Sequence, residues 1–160
     1  MLRRFRRVSV FLVIFFTLGV SSSVLAESLQ PASLEDQWGK KQTLSYVDGW
    51  FILAADKTRG EWVKESLLAL KVTDLTKHKL VYVADLSSIP SFMLSFVGLP
   101  ILKELPFKVL LDREGEVSKT WPRKEDKITV FLSQKGEVKE VRFFDSQESL
   151  EGFLRSNILI

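Results

Sequence analysis

Two apolar runs stand out beyond the first thirty or so residues, Trp50 to Ala55 (WFILAA) and Leu80 to Ala84 (LVYVA), and Ile128 to Leu132 (ITVFL) predicts another strand. A strand with one face in water alternates apolar and polar positions, so continuous runs of this length predict strands covered on both faces. Phe107 to Leu111 (FKVLL) predicts a further strand, and Leu34 to Leu44 (LEDQWGKKQTL) predicts two short extended pieces joined at a Gly-Lys turn. Between the strands the period changes. Val63, Leu67 and Leu70, with Leu68 widening the stripe, predict a helix over about 60–71, with Thr58 and Glu61 as its capping box. Phe92, Met93, Phe96 and Val97 predict a short, very apolar helix that Gly98 and Pro100 end or re-aim. The stretch Asp112-Arg113-Glu114-Gly115 predicts a turn with its glycine at positive φ, and Val117 to Trp121 a link or helical turn. Gln134 to Glu137 predicts a hairpin turn into Val138–Phe144, whose alternation is imperfect. A closing helix follows, with Asp145 and Glu148 as a second capping box and Leu150, Phe153 and Leu154 as its apolar face.

The resulting order is strand, helix, strand, helix, strand, then a hairpin and a last helix. Alternating strands and helices require crossover connections, and the hairpin adds antiparallel strands at one side. The expected class is α/β: a three-layer α/β/α sandwich around a central mixed sheet.

The opening of the chain follows a different logic. Four arginines precede the apolar run Val8–Val20, and the small-residue stretch Ser21-Ser22-Ser23-Val24-Leu25-Ala26 follows it. That three-part pattern predicts a secretory signal peptide over 1–26, cleaved near Ala26, and a single domain over 27–160 with its core at about 34–155. The apolar run is short of the roughly 20 residues that a membrane-crossing helix needs. An uncleaved anchor is the rival reading, and with no cysteine after the run a lipid-modified thiol is excluded. Export across the inner membrane of a Gram-negative bacterium places the domain in the periplasm, with no stable membrane span once the signal is removed.

The signal changes the charge argument. Its arginines account for four of the 23 basic residues, leaving 19 against 20 acidic ones and a formal charge of −1 rather than +3. Nothing in that balance favours nucleic acid. The chain has no cysteine at all, although the periplasm is oxidising. Thiol–disulfide exchange, thiol peroxidase chemistry and cysteine-ligated metals are therefore excluded. His78 is the single histidine, which rules out a multi-histidine metal site, and no GxSxG, HExxH or Walker motif occurs. No cofactor is expected.

The order of motifs resembles the thioredoxin-like superfamily. Leu34-Glu35-Asp36-Gln37-Trp38-Gly39-Lys40 ahead of an apolar strand and a helix is similar to the opening of thioredoxin-like and peroxiredoxin-like domains. Pro106 to Gly115 is similar to their strand, aspartate and glycine turn, and Ile128 to Val138 to their later strand and hairpin. The signal peptide, the segment Ala84–Phe96 and the stretch Asp112–Trp121 resemble in particular the small periplasmic YtfJ-type group. The resemblance implies a redox site made of a cysteine at the start of the first helix and a cis-proline directly before the hairpin strand. This chain has Asp56-Lys57-Thr58-Arg59-Gly60-Glu61-Trp62 and Asp126-Lys127-Ile128 in those places, and Pro122 lies too early. Some chains similar in this way carry a flavin-dehydrogenase label, for which the absence of a GxGxxG loop leaves no basis here.

Two segments are candidate contact sites. The loop 56–60 falls at the mouth of the sheet, where Lys57, Thr58, Arg59 and Gly60 suit an anion or a partner's carboxylate; a solvated, capped helix start is the bland alternative. The segment Ile89–Leu102 offers Phe92, Met93 and Phe96 as an apolar groove for a periplasmic protein or peptide, unless they are core. Asp85 and Asp112 both end apolar strands, and as a carboxylate pair they support an alternative reading, a non-thiol hydrolase or transferase. Trp38, Trp50, Trp62 and Trp121 are expected to fill core.

Overall fold

The computed structural model describes residues 28–44 and 47–159; the expected signal peptide lies outside them. Three parallel strands form the middle of a seven-stranded sheet: β3 (Gly49–Ala54), β4 (Leu80–Asp85) and β5 (Leu110–Asp112). A hairpin extends the sheet on each side. Beyond β5 lie β1 (Ser33–Asp36) and β2 (Lys41–Thr43), and beyond β3 lie β6 (Ile128–Gln134) and β7 (Glu137–Phe144). The strand order is β2-β1-β5-β4-β3-β6-β7, with every added pair antiparallel. The expected α/β sandwich with a mixed sheet is what forms.

The apolar runs predicted the central strands because side chains alternate across a sheet that is buried on both sides. Ile52, Ala54, Tyr82, Ala84 and Val130 face one cluster, which is covered by α1 (Lys57–Ala69) and α4 (Gln147–Asn157). Phe51, Leu53, Val81, Val83 and Phe131 face the other. Helical cover on that second side is reduced to a 3₁₀ turn, Ser118–Thr120, and Trp121. Trp121 stands edge-on to both rings of a stacked Phe51–Phe131 pair whose centroids are 5.0 Å apart. At the β6–β7 turn Lys135 and Gly136 have φ of 53° and 78°, the primed turn that suits a twisted hairpin. A register shift at Leu132/Ser133 explains the imperfect alternation of β7.

Six expectations are corrected. The first helix starts at Lys57, so 56–60 is a helix cap and first turn rather than a loop. Its cap is Asp56, in extended backbone, and not a Thr58–Glu61 box; a short carboxylate one step before the helix meets the Arg59 amide directly. The last helix is capped one residue later than expected, by Ser146, whose hydroxyl accepts from Ser149 N–H. Gly98 and Pro100 do not end the apolar helix. Instead α2 (Ser91–Met93) runs through a π-helical turn (Leu94–Gly98) into α3 (Leu99–Lys103) without a break. In a regular helix the Pro100 ring would press on the Phe96 carbonyl and leave a bond unmade; one wider turn relieves both problems. Finally, Phe107–Val109 does not pair as strand, and Trp38 is 54% exposed rather than core, with Trp50 and Trp62 half-buried.

What holds the strandless stretch 103–109 is Gln37. Its side chain is buried; its amide donates to the carbonyls of Phe107 (2.8 Å) and Leu102 (3.3 Å) and its oxygen accepts from Val109 N–H (2.8 Å). One amide thus ties the end of the 91–103 helix to β1, replacing the ladder that a longer β5 would have made.

Candidate functional site

Alanines at the ends of β3 and β4 leave room beside the sheet that larger residues would fill. Ala54, Ala84 and the ring of Tyr82 form the floor of a groove of about 450 Å³. One wall is the first two turns of α1, including Gly60, Glu61 and Lys64; the other is the 91–103 helix, through Met93, Val97 and Ile101.

The 91–103 helix buries Leu94 and packs Leu99 and Leu102 against the core. Its opposite side is open: Phe92 is 66% exposed, Phe96 83%, and Met93, Val97 and Ile101 are each about half exposed. From Leu86 to Leu102 the chain has no charged residue. Residues 93, 97 and 101 recur at helical spacing and line the groove, while Phe92 and Phe96 lie outside it. Large apolar side chains gathered in this way on a folded surface are unusual enough to mark a contact site.

The α1 side is polar and mostly satisfied. Arg59 carries the most contacts: its guanidinium donates to the Asp126 carbonyl (2.9 Å), pairs with the Asp126 carboxylate (2.9 Å), approaches Asp56 (3.5 Å) and lies 5.2 Å from the Trp62 ring centre. Asp126 takes a φ of +58°, and the described residues contain no cis peptide. The two places where the resemblance put a cysteine and a cis-proline are therefore neighbours, joined by an ion pair. Arg59 is thus engaged within the chain. Glu61 pairs with Lys64, and the Tyr82 hydroxyl donates to the Gly60 carbonyl at 3.3 Å. Burial, reinforced by the charge of Glu61, pushes the Tyr82 phenol well above its ordinary range, so it stays protonated. Lys57 is exposed at the edge of the groove, and among the described residues its ammonium has no hydrogen-bond or ion-pair partner.

Of the expected contact residues, the groove gathers Lys57, Gly60 and Met93; Thr58, Arg59, Phe92 and Phe96 lie beside it. Asp85 and Asp112 do converge, as paired positions on β4 and β5. Both are occupied with local structure. Asp85 accepts from the Ser87 hydroxyl (2.6 Å), the Ser87 amide (3.0 Å) and Arg123 (2.9 Å). Burial pulls its pKa up, but these hydrogen bonds and the Arg123 charge outweigh burial and hold the carboxyl below its ordinary value. Asp112 accepts from the amides of Val117 and Ser118, which fixes the turn where Gly115 sits at φ +72°, with Ser87 in the space a Cβ there would take. Arg123, Tyr82 and Gln37 were not singled out from the sequence. Each is an isolated polar residue whose partner lies between 22 and 72 positions away, and no local pattern announces it.

Comparison with solved structures settles the architecture. A protein assigned as thiol:disulfide interchange protein DsbE from Chlorobium tepidum superposes with a TM-score of 0.54 at 16% identity, over 82% of this chain and 95% of that one. The peroxidoxin BcpB of Mycobacterium tuberculosis gives 0.52 at 18% identity, over 82% and 96%. The fold is thioredoxin-like. StoA of Bacillus subtilis gives 0.50 at 15% identity, covering 79% of this chain and 98% of that one. No protein-family model and no curated protein matches the sequence. The thioredoxin-like scaffold here carries no cysteine anywhere in its 160 residues. Among the described residues no helix is long and apolar enough to cross a membrane.

Proposed function

We propose that this protein is an exported, thiol-free thioredoxin-like binding module of the periplasm, and that its contact surface is the 91–103 helix together with the groove beneath it. One observation carries the reading: five large apolar side chains are exposed on one helix, which also forms one wall of the groove. With no thiol, electron exchange through sulfur is not open to it. The order of motifs from Leu34 to Trp121 supports placing it with the YtfJ-type group. Binding of a neutral fluorescent probe, N-phenyl-1-naphthylamine, tests the groove directly. Saturable binding that Val97→Asp abolishes is expected; binding unchanged by that substitution defeats the reading. Export is tested by intact mass: protein from a periplasmic extract should begin at Glu27, and a chain retained in the membrane from Met1 would overturn it.

A second reading has its own observation. Phe92 and Phe96 sit one turn apart, outside the groove, and suit contact with a periplasmic protein or peptide. The carboxylate-enzyme reading has weaker support, because Asp85 is held ionised and both aspartates are already engaged in turns.

A further inference from the structure

We infer that the groove takes a single-chain aliphatic carboxylate, its tail lying along the Met93, Val97 and Ile101 wall and its head at Lys57. The inference rests on the groove being a binding site and goes further by naming the chemistry of its occupant.

Size sets the first bound. A space of about 450 Å³ falls at the lower end of small-ligand sites, too small to enclose a folded partner. Hydrogen bonding sets the second. The Tyr82 hydroxyl is committed to Gly60, Glu61 to Lys64, and Asp85 to Ser87 and Arg123. An extended peptide in the groove would bring one N–H and one C=O per residue into surroundings with little left to pair them, and each unmet group is costly. Strand addition offers no escape, because the floor comes from β3 and β4, both interior to the sheet. A polymethylene chain has no such groups to satisfy.

Charge sets the third. Among the charged side chains lining the groove, Asp56 meets Arg59, Glu61 meets Lys64 and Asp85 meets Arg123. Lys57 is the charged lining side chain that has no ion-pair partner among the described residues. An occupant with one negative end supplies that partner; a cationic one places a second positive charge beside it.

Displacement of N-phenyl-1-naphthylamine from the purified protein by octanoate, decanoate and dodecanoate, each below its micellar concentration, reads the inference. Affinity should rise about four-fold per added methylene, the equivalent of about 0.8 kcal/mol each. Dodecanoate should outcompete dodecyltrimethylammonium about two- to five-fold, the range of an exposed ion pair, and Lys57→Glu should reverse that order. Thermal unfolding should confirm that Lys57→Glu and Val97→Asp remain folded, since both positions are exposed. Equal binding of anion and cation, or displacement by an apolar peptide but not by dodecanoate, would overturn the inference while the groove reading stands. If the probe itself does not bind, both fall.

Discussion

At the first turn of α1 every strong charge but one has a partner among the described residues; across the groove, the 91–103 helix presents five large apolar side chains that are about half exposed or more. The α1 turn has the sequence of a working site, yet it is structurally self-contained. The 91–103 helix has the sequence of core, yet it lies open. Arg59 is the clearest case of the former, held by Asp56, Asp126 and Trp62 in the window where the resemblance implied a cysteine. Phe96 is the clearest case of the latter. On the proposed reading, a scaffold without a thiol is used at its flank, through the 91–103 helix, rather than at the first turn of α1.

The comparison can be broken most forcefully through Gln37, which anchors the open helix. Gln37→Leu should leave the Phe107 carbonyl and Val109 amide buried without partners and cost about 2–5 kcal/mol in urea denaturation. A loss under about 1 kcal/mol would mean that the 103–109 stretch is held by something else. Acid is the next probe. Because folding lowers the Asp85 pKa below its ordinary 3.8, the stability it supplies is complete above that value and is lost as pH falls through the lowered one. Wild type and Asp85→Asn should therefore differ in urea midpoint at pH 7 and converge as pH falls through the lowered pKa. A gap that persists undiminished into acid would remove the carboxylate from the account.

Smaller effects sharpen the contrast itself. Arg59→Ala should cost about 1 kcal/mol, because Asp126 is largely exposed and such pairs are weak, and it should leave probe binding in the groove unchanged. Replacing Phe92 and Phe96 together by serine should change stability by no more than about 0.5 kcal/mol. Any periplasmic partner cross-linked to the wild-type helix should then be lost. A large stability loss in that double variant would show that the two rings are core after all.

Much of this fold was legible because its central strands are buried on both faces, and burial of that kind writes itself as Phe51-Ile52-Leu53 or Val81-Tyr82-Val83. The turns at Gly115 and Gly136 were legible because positive φ narrows the choice of residue. The groove was not. Leucine, phenylalanine and valine read alike in a hydropathy pattern, so nothing in 91–103 says that Leu94, Leu99 and Leu102 turn inward while Phe92, Phe96 and Val97 stay out. Nor could local pattern announce Gln37, whose contacts lie 65 to 72 residues away, or the pairing of Arg59 with Asp126. Those depend on how the sheet brings distant segments together.

The wide turn at Leu94–Gly98 has a consequence for the geometry of the whole site. Each residue of a helix advances its azimuth by about 100°, so one extra residue in a turn shifts the phase of everything after it by that amount. Leu94 and Leu99 both face the protein interior across that turn, five residues apart rather than the usual three or four. A chain shortened by one residue there would keep its composition and its helix, yet would present a different stripe to the sheet. The shape of the cleft is in this sense a matter of angular phase, written in the spacing between Leu94 and Pro100 rather than in any single side chain.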